Sequence, residues 1–153
     1  MAKHKATITW ERGTAAFVDN QYSRAHEWHF DGGAVVPASA SPHIVPEPQA
    51  IAANVDPEEA FVAALSSCHM LFFLSLAAEQ GIVVDAYLDK AEGVLGKNAT
   101  GNLAMTDVAL RPAARYAGAQ PVASQIAALH DEAHRRCFIA NSVNTRIRVQ
   151  PVS

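Results

Sequence analysis

Residues 54–81 read NVDPEEAFVAALSSCHMLFFLSLAAEQG, and this stretch decides the fold. From Phe61 to Ala78 the chain runs 18 residues without Asp, Glu, Lys or Arg. Its edges carry helix signals. Asn54 or Asp56 can cap the start, Pro57 suits the first helical position, and Glu58 and Glu59 favour the positive end of the helix dipole. Gly81 is the expected left-handed stop. The pattern predicts one helix over 56–80, roughly 36 Å long at 1.5 Å per residue. That length also meets the rule of thumb for a membrane span. Three serines, Cys68 and His69 interrupt the run, however, acidic residues flank it, and no basic cluster marks a cytoplasmic side. A helix apolar nearly all round is then the centre of a soluble fold, with no membrane.

Outward from the helix, the N-terminal side reads as strands over 1–35. Candidates are Ala6 to Trp10, Thr14 to Asp19 and Ser23 to Phe30, the last closed by the Asp31-Gly32-Gly33 turn. A loop over 36–55 follows, because Pro37, Pro42, Pro46 and Pro48 exclude helix and central strand. On the C-terminal side, a long hairpin is expected over 82–115 around the turn GKNATGN, then a second helix over 120–137. Val122, Ile126, Leu129 and Ala133 keep helical spacing there. A last strand is expected over 143–150. The order β-β-β-α-β-β-α-β makes a single α+β domain over 1–153, with antiparallel sheet packed around the long helix.

Half of the 153 residues are hydrophobic and 18% are charged, against about 25% charged in a typical soluble domain. Disorder is excluded. The net charge of -3 leaves no basic footprint for nucleic acid. Two cysteines are no disulfide framework, and the first residues lack the apolar core of a signal peptide. A cytoplasmic setting is expected, where cysteines start as thiols.

The candidates for chemistry are thiols, histidines and arginines. Cys68 lies mid-helix, where nothing in its neighbours activates it, and a lone helical cysteine is commonly a small buried hydrophobe. Cys137 follows Arg135 and Arg136, cations that favour a thiolate, although the helix C-terminus opposes one. The two cysteines stand 69 positions apart, so they are no CxxC motif; contact between them is left to the fold. Cys68 and His69 are adjacent on a helix and therefore not a preset nucleophile–base pair. His130, His134 and Cys137 share one helix face, and HDEAH approaches the HExxH zinc helix. Asp131 stands where that motif needs glutamate, so neither metal nor cofactor is expected.

Two segments resemble a known family. Asp56-Pro57-Glu58-Glu59-Ala60-Phe61-Val62-Ala63-Ala64-Leu65-Ser66-Ser67-Cys68 is similar to the (N/D)-P-E-E/Q-L-x-A-A-x-x-A-C opening of the central helix in OsmC/Ohr proteins, the osmotically inducible and organic hydroperoxide resistance proteins. His134-Arg135-Arg136-Cys137-Phe138-Ile139-Ala140-Asn141-Ser142-Val143 resembles the second cysteine segment, and Gly81-Ile82-Val83-Val84 fits the exit of the helix. The resemblance covers residues 54–150.

It implies a thiol peroxidase for organic hydroperoxides. Cys68 would attack the peroxide and become a sulfenic acid, and Cys137 would resolve it as a disulfide. Glu58 maps onto the family's active-site glutamate. Arg24 is the choice for its arginine, with Arg12 the alternative. The implied reductant is a dithiol of the kind a lipoylated protein carries, and the implied assembly is an intertwined homodimer with its sites at the interface. Glu58 stands ten residues, about 15 Å of helix, before Cys68. Either the helix starts later, or the glutamate serves the partner's site. The apolar helix also fits a dimer, since two copies packed together bury what one chain leaves bare. Phe61, Leu65, Met70, Phe72 and Phe73 are candidate pocket walls, with ordinary core as their commoner role. A non-enzymatic dimer with inert thiols, binding a small apolar ligand, is the alternative. Three departures mark a divergent branch: Phe138 replaces the usual proline, His69 follows Cys68 in place of an apolar residue, and the proline-rich loop is long.

Overall fold

The long helix forms where its end signals put it. In the computed structural model, which describes residues 1–153, helix α1 spans Pro57–Glu79. Asp56 Oδ1 accepts the Glu59 N–H at 2.8 Å, and Glu59 Oε2 accepts the Asp56 N–H at 3.2 Å. This reciprocal capping box selects Asp56 over Asn54 as the cap. At the far end, Gly81 adopts a φ of 72°. The Ile82 N–H reaches the Ala77 carbonyl at 2.9 Å and the Gly81 N–H reaches Ala78 at 3.0 Å, a Schellman closure that an L side chain at Gly81 would strain.

Two compact units divide the chain, residues 1–60 and 61–153. In the first, strands β1 (Ala6–Thr9), β2 (His26–Phe30) and β3 (Val35–Ala38) form an antiparallel sheet in that order. The strand expected over 14–19 is absent. Gly13 and Asn20 take positive φ there, and Phe17 turns to stack on Tyr22 with centroids 4.6 Å apart. Aromatic clustering outweighs strand pairing in this segment. The third strand is Val35–Ala38, so the loop starts at Ser39 rather than at residue 36. Pro37 is tolerated because β3 lies at the sheet edge. The loop is laced to its own ends. Val55 N–H bonds the Pro37 carbonyl and Ser39 N–H the Val55 carbonyl, both at 3.0 Å, and Ser39 Oγ accepts the Ile51 N–H at 2.9 Å. Buried Ser39 and Ala50 thus sit in backbone that remains hydrogen-bonded.

In the second unit the expected hairpin is present, with each arm broken once. Strand β4 (Val84–Asp89) pairs with β7 (Pro112–Tyr116), and β5 (Glu92–Lys97) pairs with β6 (Leu103–Leu110). Asp89 explains the break: its carboxylate accepts the Arg111 N–H at 2.6 Å, replacing a ladder bond, and the Ser66 hydroxyl of α1 at 2.5 Å. Helix α2 is Ala123–Arg136, shorter at its start than the expected 120–137. A 3-10 turn over Ala140–Ser142 delays the last strand, so β8 begins at Arg146 and ends at Val149, parallel to β6.

Within this unit α1 joins two apolar clusters. Phe73, Leu76 and Ala77 pack with Leu129 and Ala133 of α2, and Leu65 packs with Val108 and Leu110 of β6. At Gly93 of β5 a Cβ would lie 2.6 Å from Val62, so glycine permits the close approach of α1 to this sheet. α1 is long and apolar enough to cross a membrane by length and composition, yet Leu65, His69, Phe73, Leu76 and Ala77 are sealed in protein core. Its other side remains bare in the single chain: Ala63, Ala64, Leu71 and Ala78 are exposed.

Candidate active site

The fold answers what spacing left open: the two thiols meet. Cys68 is half-buried midway along α1, and Cys137 is buried at the C-terminal cap of α2; both are free thiols. Cys68 is near enough to act on the Cys137 thiol. Burial first, and the neighbouring Cys68 thiol second, push the Cys137 thiol up to about 11, while the Ala140 N–H, 3.4 Å from its sulfur, works the other way. The expectation that Arg135 and Arg136 favour a thiolate is corrected. Both guanidinium groups turn to Glu132, at 2.5 Å from its Oε1, and the 3-10 turn brings backbone N–H groups to Cys137 instead.

The second contact between these helices was not foreseen. His69 and His130 are buried, 1% and 3% exposed, and His69 Nε2 lies 2.9 Å from His130 Nδ1. The rings are 6° from parallel with centroids 5.2 Å apart, about the N···N distance plus two ring radii, so they meet edge to edge in one plane. Phe73 stacks on the His130 face at 4.3 Å. Burial holds both rings down to about 4, helped at His69 by the neighbouring His130 and His134. His69 Nδ1 has no partner. A buried N–H without a partner is rarer than a bare acceptor, so we assign the Nε2–H tautomer to His69, donating to His130. The helix face that resembled a zinc helix therefore divides: His130 goes to His69, and Cys137 goes to Cys68.

Arg24 belongs to the N-terminal unit. It is half-buried, its guanidinium sits 3.7 Å above the Tyr22 ring, and it donates to the Asn20 carbonyl at 3.1 Å, to Asn20 Oδ1 at 2.7 Å and to the Tyr22 carbonyl. No carboxylate pairs with it. His26 steadies its backbone: the Trp28 indole donates to His26 Nε2 at 3.0 Å, which leaves Nδ1–H to donate to the Arg24 carbonyl at 2.7 Å. Arg12 is exposed and caps the Ala15 carbonyl at 2.8 Å. Glu58 is half-buried in the first turn of α1, and its Oε2 is buried without a hydrogen-bond partner. Because α1 is continuous from Pro57, a later helix start is ruled out.

Arg24 also lines a cavity of about 480 Å³ with Trp10, Phe17, Tyr22 and His26. The expected walls differ. Leu65 and Phe73 are fully buried core. Phe72 instead lies edge-on against the exposed ring of Phe138, centroids 5.0 Å apart, beside the second thiol in sequence. Two features were missed: the His69–His130 bond, whose signal was the unusual histidine after Cys68, and the aromatic cavity, whose signal was Trp10, Phe17 and Tyr22 around glycine and asparagine turns.

Comparison with known proteins bears on this arrangement. Residues 51–152 match the family described as OsmC-like protein. An OsmC-like protein of unknown function from Vibrio cholerae is 55% identical, with 99% of this chain and 100% of that one covered and a TM-score of 0.98. An organic hydroperoxide resistance protein from Elizabethkingia anophelis shares the fold at 17% identity, covering 99% and 94% with a TM-score of 0.72. OhrB of Bacillus subtilis, also an organic hydroperoxide resistance protein, does so at 19% identity, covering 99% and 98% with a TM-score of 0.68. No curated protein matches the chain.

Proposed function

Since the chain belongs to the OsmC-like protein family, we propose that it is a thiol-dependent peroxidase that reduces organic hydroperoxides. The contact between Cys68 and Cys137, 69 positions apart, carries this reading. The two thiols differ in the way such a reaction needs. Cys68 is the more accessible. Cys137 is buried and held protonated, so it does not compete for peroxide. The Cys68 thiolate attacks one peroxide oxygen, the O–O bond breaks, and the departing alkoxide takes a proton to leave as alcohol. Cys68 becomes a sulfenic acid. The Cys137 sulfur then attacks the Cys68 sulfur, and a proton and hydroxide leave as water as the disulfide forms. A dithiol, such as a lipoyl group, returns both cysteines to thiols in the cytoplasm.

Arg24 is the arginine we assign to the peroxide. It is half-buried beside an aromatic cavity and lacks a carboxylate partner, whereas Arg12 is exposed. Glu58 is ten residues of continuous helix, about 15 Å, from Cys68. We assign it to the site of a partner copy in a homodimer, an assembly that also covers the bare face of α1. A dimer structure with Glu58 nearer its own Cys68 than the partner's would remove this assignment. The aromatic cavity supports a second reading, in which the thiols are inert and a small apolar ligand is simply bound.

One assay separates the two. Reduced protein mixed with cumene hydroperoxide is expected to lose two thiols per chain and release the alcohol. Cys68→Ser abolishes consumption, and Cys137→Ser leaves a trappable sulfenic acid. Binding of the hydroperoxide with both thiols intact would establish the ligand-binding reading instead.

A further inference from the structure

Besides their apolar packing, the helices α1 and α2 approach each other through two polar pairs whose spacing is unequal. On α1 the contributing residues, Cys68 and His69, are neighbours, 1.5 Å apart along the axis and about 100° apart around it. On α2 they are His130 and Cys137, two turns or roughly 10 Å apart. α2 therefore runs across α1 rather than along it. The apolar packing of Phe73, Leu76 and Ala77 on Leu129 and Ala133 holds the helices together but is non-directional, and a small pivot of α2 about it sweeps the far end, which carries Cys137. Two contacts define the direction of α2.

The histidine contact is built for this role. His130 is held in a slot formed by His69 and Phe73, one turn apart on α1, with the first bonding its edge and the second stacking on its face. Both rings are buried, so the bond has no competition from water. An apolar pair would fill the same volume without an unpartnered Nδ1, so packing alone does not account for two histidines here.

We infer that His69 and His130 are positioning residues that seat the Cys137 thiol against Cys68, setting the rate and equilibrium of disulfide formation between them. The inference rests on the peroxidase reading for its biological use, but its test does not. An azo oxidant such as diamide accepts two hydrogen atoms from the two thiols, becoming a hydrazine as the S–S bond forms, and needs no peroxide chemistry.

The test compares full-length wild type, His69→Met, His130→Leu, His69→Gln and His130→Asn. Met and Leu remove the bond and keep apolar bulk. Gln and Asn return a polar group near the positions of Nε2 and Nδ1. Disulfide formation is followed with diamide, and its equilibrium against a glutathione redox buffer. His69→Met and His130→Leu are each expected to slow closure about tenfold and to shift the equilibrium toward thiols about tenfold, the fold-change of one ordinary hydrogen bond. His69→Gln and His130→Asn are expected within about threefold of wild type, a rescue that volume alone would not provide. Wild-type rates and equilibria in either bond-breaking variant that keeps a cooperative melt overturn the inference. So does equal impairment of the polar and apolar variants. A protein that closes normally with diamide yet ignores cumene hydroperoxide overturns the peroxidase reading and leaves this one standing.

Discussion

The two halves of the proposed chemistry are held by different kinds of contact. Arg24 in the N-terminal unit is fixed by residues two and four positions away, the Tyr22 ring and carbonyl and both oxygens of Asn20. The thiol pair in the second unit rests on contacts across 69 and 61 positions, Cys68 to Cys137 and His69 to His130. Local contacts need little loop closure, so Arg24 keeps its setting as long as its own turn is formed. The thiols meet only when α2 is docked, so their geometry should fail with the stability of the α1–α2 core.

The largest expected effect attacks that core. Phe73→Ala removes a fully buried ring from the cluster with Leu129 and Ala133 and should cost about 3–5 kcal/mol, read by urea unfolding. Diamide closure should fall with it, while the environment of Arg24 stays as it was. Indole and phenol fluorescence of the N-terminal aromatic cluster that changed as much as thiol closure would contradict the contrast.

Acid should produce the next effect, in the same region. The folded protein holds His69 and His130 near 4, whereas the unfolded chain takes up these protons around 6.5. Their contribution is therefore complete above pH 6.5 and is lost as pH falls toward 4. Each ring contributes on the order of 3 kcal/mol to that loss. Urea midpoints across this window should fall steeply in wild type and less steeply in the His69→Gln, His130→Asn double variant. Parallel slopes would show that other groups dominate the acid response.

Arg24→Ala comes third. Losing one charge-assisted contact to the peroxide should lower hydroperoxide consumption about 10–100-fold, with diamide closure unchanged and Arg12→Ala within about twofold of wild type. The reverse order for the two arginines would move the assignment to Arg12. The smallest effect is at the helix start. Asp56→Ala should cost about 1 kcal/mol by removing the cap on the Glu59 N–H, and Asp56→Asn should recover most of it.

What was legible in advance follows the same division. Local signals carried α1 well: Asp56, Pro57 and Gly81 mark its ends because caps and left-handed stops act over a few residues. The hairpin over 82–115 was legible from alternation and the turn GKNATGN, but its break was not, because Asp89 and Ser66 stand 23 positions apart. The strand expected over 14–19 failed because three aromatic rings found each other, an outcome that pattern matching over single residues does not weigh. Both cysteines were legible as candidates through chemistry, whereas their meeting was implied by the family resemblance alone and left open by their spacing.

The apolar length of α1, its start and end, the α+β order and the identity of the thiols follow from the amino-acid order, since each depends on residues near in the chain. Contact between the thiols, the raised affinity of Cys137 for its proton, the buried histidine bond and the diversion of Arg135 and Arg136 to Glu132 follow from packing. Hydrogen bonds and desolvation depend on distance in space, and for Cys68, His69, His130 and Cys137 that distance is set by how α2 lies across α1.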